Sequence, residues 1–326
     1  MSGSSSSQVV ALCGGVGAAR FLTGLVAVVD PSRVTAIVNT GDDREFYGVH
    51  VSPDLDIVTY TLSGHVDTAR GYGLAGDRYS VVDTLAGFGH ESWFKLGDRD
   101  FATCYHRTLR LAAGAGLAAV TDEIQTHFGV PIRILPMSED PCPTLVELEG
   151  GTKLHFEEYL VREGSPDGVC GVDLSAAQRA IPGPGVLEAL SGAGTILLCP
   201  SNPVVSIGPI LAVRHVRDAV VKSAAPVVAV SPIVGGAPVK GPADRLLRGL
   251  GKEVSARGIA QWYQGLIDGL VIDEQDSELA KDIEAMGVPT RVLDTLMKTP
   301  EIAASVARAA LSLADAVSVS GRDKRE

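Results

Sequence analysis

Positive charge is in short supply: 28 Lys and Arg stand against 39 Asp and Glu, a formal net charge of −11. A chain of this balance is not built to coat nucleic acid or an anionic membrane surface. A phosphate-bearing ligand must then be met by a local basic patch, by backbone N–H groups or by a metal ion. Cysteine is sparse, and Cys13, Cys104, Cys142, Cys170 and Cys199 form neither a C-x-x-C pair nor a zinc-spaced Cys/His cluster. They read as free thiols of a reducing, cytoplasmic compartment. No apolar run is long enough to span a bilayer. The seven histidines are scattered. No G-x-S-x-G elbow and no cysteine in an electropositive motif offers a covalent nucleophile. Residues 1–7, mostly Ser and Gly, lack a basic or apolar segment and read as a disordered lead-in rather than a signal peptide.

What is present is the rhythm of an α/β protein. An apolar run from Gln8 to Cys13 meets Gly14-Gly15-Val16-Gly17, a helical pattern from Ala18 to about Val29, and a second apolar run, Val34 to Val38. Strand, glycine turn, helix and strand in that order predict a βαβ unit of a parallel sheet. Helical periodicity marks 57–62 and 98–128, and Ile132 to Leu135 reads as a strand. Gly150-Gly151 sits between two short runs that read as a hairpin. Further strands are expected at Thr195–Cys199, Val227–Val230, Gly269–Ile272 and Arg291–Leu293, with a last helix from Pro300 to about Ala316. The expectation is one domain over 8–326: a doubly wound, mostly parallel, Rossmann-like sheet with a helical and hairpin insertion at about 57–183.

Five segments could carry chemistry. The Gly14–Gly17 turn opens a helix, where free N–H groups and the positive dipole end suit a phosphate. It lacks the third glycine of G-x-G-x-x-G, because Arg20 stands there, and it lacks the Gly-Lys-Ser/Thr of a P-loop. A plain strand–helix turn is the bland alternative. Asn39-Thr40-Gly41-Asp42-Asp43 and Ser52-Pro53-Asp54-Leu55-Asp56 place four carboxylates within fifteen residues after the second strand. Hard oxygens of this kind suit Mg²⁺, although Asp54 or Asp56 could instead cap the next helix. Lys95-Leu96-Gly97-Asp98-Arg99-Asp100 could clamp an anion or be a solvated charge run with a helix cap. Two Gly/Pro-rich loops, 200–209 and 231–242, follow apolar strands and should reach the same sheet edge as the first turn. That leaves a diphosphate site with a carboxylate-bound metal.

At these segments the sequence resembles the 2-phospholactate transferases of deazaflavin coenzyme biosynthesis, CofD and its actinobacterial branch FbiA. The resemblance rests on GGVGAARF, VNTGDD, SPDLD, KLGDRD, LPMSEDP, PSNPVVSIGPI, VSPIVGGAPVKGPA and DTLM, and runs from about Val9 to Ala316. It implies a homodimer that depends on Mg²⁺ and takes two small molecules. One is the deazaflavin 7,8-didemethyl-8-hydroxy-5-deazariboflavin; the other is a guanosine diphosphate bearing lactate or enolpyruvate. The products would be a coenzyme F-420 precursor without glutamates and GMP. By position, Asp56 and Lys95 match deazaflavin contacts, with Asn39 and Thr40 beside them. Asp42, Asp43, Asp54 and Asp56 match the acidic metal cluster. Gly14, Gly15, Gly17, Ser201, Asn202, Ser206, Gly208 and Gly235 match the nucleotide cradle. Val16 stands where many relatives carry Thr, which removes a side-chain phosphate contact there. In the expected reaction the ribityl hydroxyl attacks phosphorus, Asp56 takes its proton, and Asp42 or Asp54 holds the metal. The alternative is a non-catalytic nucleotide-sugar-binding regulator of the YvcK type.

Overall fold

The computed structural model describes residues 7–322. All but the last residue of the lead-in read at 1–7 lies outside the described residues. Seven short strands rich in Val, Ile, Leu and Ala build the central sheet: β1 Gln8–Cys13, β2 Val34–Val38, β3 Arg133–Pro136, β4 Ala193–Leu198, β5 Val227–Val230, β6 Gly269–Asp273 and β7 Thr290–Leu293. Their spatial order is β7-β6-β5-β4-β1-β2-β3, and every pairing is parallel. The chain winds outward from β1 in one direction, then returns to β4 and winds outward in the other. The sheet is doubly wound and Rossmann-like, as the residue pattern predicts.

Both faces are covered, which explains why the strands are apolar at successive positions rather than alternating with polar ones. Alternation decides only which core each residue enters. Val9, Ala11 and Cys13 join Phe21, Leu22, Leu25 and Leu313 on one face. Val10 and Leu12 join Ile207, Ile210 and Ile259 on the other. The first face is closed by α1, Gly15–Val26, packed on the long C-terminal helix Pro300–Arg322.

The region read as one insertion at 57–183 contains β3, which pairs with β2 at the sheet edge. It therefore forms two excursions from the sheet. The first carries a short hairpin of Arg44–Phe46 with Val49–Val51, then α2 Pro53–Leu62, α3 Asp98–Ala112 and α4 Leu117–Phe128. The second carries the hairpin of Leu145–Leu148 with Lys153–His155, extended by Val169–Asp173 into a three-stranded antiparallel sheet. Among the described residues no helix is long and apolar enough to cross a membrane.

Candidate active site

Because the chain reverses its winding direction between β1 and β4, the loops that leave these neighbouring strands diverge and open a crevice. Residues 14–17 leave β1, residues 39–43 leave β2, and residues 199–206 leave β4. Ser201 joins two of these loops: its hydroxyl donates to the Gly14 carbonyl at 2.8 Å and accepts from the Gly14 N–H at 3.2 Å. A Cβ on Gly14 would lie 2.4 Å from Asp54 Oδ2 and 3.0 Å from Ser206 Cβ; one on Gly17 would lie 2.5 Å from the Pro200 carbonyl oxygen. These two positions are glycine because protein, not only ligand, approaches them.

Asp54 organises the centre. It lies in the first turn of α2, but its carboxylate serves another helix. Oδ1 accepts the Gly15 N–H at 2.7 Å, capping the start of α1, and Oδ2 accepts from the Asn39 amide at 2.9 Å. The expectation that Asp54 or Asp56 caps its own helix is thus corrected: α2 starts after Ser52 without a side-chain cap. Asn39 also donates to the Val205 carbonyl at 3.3 Å and accepts the Gly41 N–H at 2.8 Å. Its side chain is fully buried and its hydrogen bonds go to protein partners, so it positions Asp54 rather than standing open to a deazaflavin.

Around Asp54, Asp42 and Glu157 are buried and Asp43 is partly buried. Asp43 Oδ2 accepts from the Ser52 hydroxyl at 2.7 Å and lies 3.1 Å from His50 Nε2. Asp42 Oδ1, Asp43 Oδ1 and the hydroxyl oxygens of Thr40 and Thr144 are buried with no hydrogen-bond partner among the described residues. Glu157, which the sequence reading passed over, is 5% exposed and belongs to the same cluster. Burial, then Asp54 and Glu157, push the Asp42 carboxyl well above the usual carboxylate range. Burial raises Asp43 against hydrogen bonds from His50 and Ser52. Burial lifts Asp54 to about 6 and, with the neighbouring Asp54, lifts Glu157 to about 8. Orphaned hard oxygens beside mutually repelling acids suit a divalent cation such as Mg²⁺, which Asp42 and Asp43 would hold.

Asp56 is a different case. Arg107 donates Nη1 to Asp56 Oδ2 at 3.2 Å and Nη2 to Asp56 Oδ1, and both side chains are buried. Burial opposes the Arg107 charge, but Asp56 more than compensates and raises its pKa. Asp56, Asp100 and Cys104 bring one ligand atom each within 4.8 Å of one another. The guanidinium, which also donates to Cys104 Sγ at 3.7 Å, already supplies the cation of that trio. Asp100 accepts from the Tyr60 hydroxyl at 2.7 Å. The assignment of Asp56 as base and metal ligand is corrected on this ground: both its oxygens serve a buried ion pair.

The remaining residues divide. Asn202 Oδ1 accepts the Val204 and Val205 N–H groups at 3.0 and 3.4 Å, and Ser206 stands against Gly14, so both shape the crevice. Gly208 lies in the helix that follows, Ile207–Ala212. Gly235 sits in a small hairpin, with its N–H taken by Asp276 Oδ2 at 3.0 Å, so that N–H is not open to a phosphate. Lys95 is exposed, 3.5 Å from Asp83, and the start of α3 is capped by Asp77, not Asp98 or Asp100: the Arg99 and Asp100 N–H groups donate to its carboxylate at 3.0 and 3.1 Å. Beside Lys95 in sequence, Trp93 and Phe94 line a cleft of about 240 Å³ with Arg44, Phe46 and Tyr47.

The acids make a pH prediction. A carboxyl whose folded pKa is raised contributes stability that is complete below its unfolded pKa, near 4, and lost as pH rises through the folded value. With Asp54 at about 6 and Glu157 at about 8, the chelator-treated protein should melt at a higher temperature at pH 5.5 than at about pH 8.5. Adding Mg²⁺ should restore the loss at the higher pH. A melting temperature that is flat across this range, with and without Mg²⁺, would mean that the acids are solvated and do not form a cation site.

The profile of the family described as "2-phospho-L-lactate transferase CofD" matches residues 9–309. A Kitasatospora aureofaciens protein named phosphoenolpyruvate transferase is 45% identical, covering 95% of this chain and 98% of the relative. A Methanosarcina mazei protein named 2-phospho-L-lactate transferase is 39% identical, covering 90% of this chain and 96% of the relative. A solved Bacillus halodurans protein, described as a member of the UPF0052 family, has a TM-score of 0.64 at 18% identity, covering 95% of this chain and 100% of that one. That likeness speaks for the fold alone. A family match across almost the whole sheet and both excursions, with relatives above 30% identity over nearly their full length, places the chain in the CofD family of transferases.

Proposed function

We propose that the protein transfers a phosphoenolpyruvyl group from a guanosine diphosphate carrier to the deazaflavin 7,8-didemethyl-8-hydroxy-5-deazariboflavin, releasing GMP. The observation that carries the reading is the set of orphaned, buried carboxylate oxygens on Asp42 and Asp43 beside the Gly14–Gly17 turn. Phosphoenolpyruvate is preferred to 2-phospholactate because five relatives at 42–45% identity bear that name, as does one at 38%, while two named for phospholactate stand at 37% and 39%.

Asp42 and Asp43 would hold Mg²⁺, which when bound supplies charge neutralisation for the phosphoryl oxygens. The chain's own residues do the rest. The N–H groups of Val16 and Gly17 lie in the first turn of α1, where no intrahelical acceptor exists, and they suit phosphate oxygens. Asp54, raised by burial to about 6 and held by neutral N–H donors rather than by a cation, suits a proton acceptor near neutral pH and takes over the role first read for Asp56. The hydroxyl of the deazaflavin side chain attacks phosphorus, its proton passes to the carboxylate, and the bond from phosphorus to the GMP oxygen breaks. In-line placement of these groups is the main demand. The aromatic cleft of Phe46, Trp93 and Phe94 suits a planar acceptor ring, and it begins at Arg44, the residue after Asp43. Lys95 remains the proposed cation on that side. Two copies of the chain and a cytoplasmic setting are part of the same reading.

Melting curves with Mg²⁺ and nucleotide test it. GDP at about 100 times its Kd should stabilise the fold by about 2.7 kcal/mol, and ADP at the same concentration by much less. Equal shifts would remove the guanine assignment, and no shift would remove the nucleotide site. Product masses from each synthetic carrier would identify the transferred acid.

A further inference from the structure

Arg20, on the second turn of α1, and Lys240, from the loop after β5, meet over a buried glycine. A Cβ built on Gly71 would lie 3.3 Å from Lys240 Nζ, 3.8 Å from Val16 Cγ1 and 3.9 Å from Arg20 Nη2. Two cations thus stand around one point, against the first turn of α1. Gly71 has φ +76°, a conformation that favours glycine, and any side chain there would fill the space between them. Three separate segments build the arrangement. Tyr72 lies under Lys240, 5.6 Å from Nζ to the ring centroid, and Arg70 stacks on Tyr79 at 4.9 Å.

Like charges brought together need a reason. Burial and then Arg20 both lower the Lys240 pKa, and no carboxylate offsets them. Among the described residues, neither Arg20 nor Lys240 forms an ion pair, although Arg70 next door pairs with Asp67 at 3.8 Å. In a chain with eleven more acids than bases, an exposed cation pair without an acid partner among the described residues offers the basic patch that a phosphate ligand requires. Arg20 also explains the interrupted glycine pattern: the third glycine position carries a cation.

We propose that Arg20 and Lys240 form an oxyanion clamp for the donor substrate, taking its diphosphate or its three-carbon carboxylate one helical turn from the Val16 and Gly17 amides. This rests on reading the Gly14–Gly17 turn as the donor's phosphate cradle. Arg supplies two N–H groups in a fixed fork, and Lys supplies a mobile ammonium, so the pair suits an anion with at least two acceptor oxygens.

Binding of GDP and of phosphoenolpyruvate to the full chain, by calorimetry with Mg²⁺, tests the clamp. The variants are Arg20→Gln and Lys240→Gln; both positions are exposed, so their melting temperatures should match wild type. If the clamp takes the diphosphate, each variant should bind GDP at least tenfold more weakly, with a shallower salt dependence. If it takes the carboxylate, GDP should be unaffected and phosphoenolpyruvate weakened by the same factor. Arg20→Lys should recover only part of the loss. Wild-type binding that neither variant changes overturns the clamp and leaves the donor reading intact. A wild-type protein that binds neither probe overturns both.

Discussion

Asp42→Asn should make the metal-free protein more stable and the enzyme about 100-fold slower, the kinetic equivalent of ~3 kcal/mol of lost transition-state stabilisation. Asp42 is buried, its Oδ1 has no partner, and burial together with Asp54 and Glu157 raises its pKa well above the carboxylate range. The neutral amide relieves that repulsion without changing the shape of the side chain. The same substitution removes a charge that Mg²⁺ would need, so the concentration of Mg²⁺ for half-maximal rate should rise. Melting curves in chelator and metal titrations of the rate measure the two halves separately. Unchanged turnover at low Mg²⁺ would make the acid cluster structural and sink the proposed mechanism.

The second large effect concerns Asp56 and Arg107. Removing one partner of a buried ion pair leaves an uncompensated charge, at a cost of about 3–5 kcal/mol. Asp56→Asn and Arg107→Met should each lower stability by that order, measured in denaturant. Replacing both, Asp56→Leu with Arg107→Met, should recover much of the loss, because two apolar groups of similar size need no partner. The sequence alone suggests the opposite for Asp56→Asn: lost turnover with unchanged melting, as for a general base. That outcome would return Asp56 to catalysis and assign Arg107 to holding it in place.

In SPDLD, Asp54 and Asp56 look equivalent: both fall in the first turn of α2 and both are buried. Two residues apart on a helix, they point in different directions. Asp54 reaches the start of α1, and Asp56 reaches α3, where Arg107 waits. One legible signal was missed. Cys104, Arg107 and Leu111 share a helical stripe, and a cation on such a stripe requires an acid from elsewhere in the fold. Glu157 gave less warning, because HFEEY follows a hairpin strand in a segment distant from the other acids, and only the return of that excursion to the crevice brings it near Asp54.

Local sequence determined the strands, their parallel winding and the loops at the crevice, because apolar runs bounded by glycine and proline specify elements and their order without reference to distant residues. It also determined the family, through segments that are contiguous in the chain. Tertiary structure alone decided which aspartate is free and which is paired. That choice depends on contacts between residues 39 and 51 positions apart, Asp54 with Gly15 and Asp56 with Arg107, and on the burial that turns a carboxylate into a raised acid. Neither quantity exists in a local pattern, since desolvation is a property of everything that packs around the group.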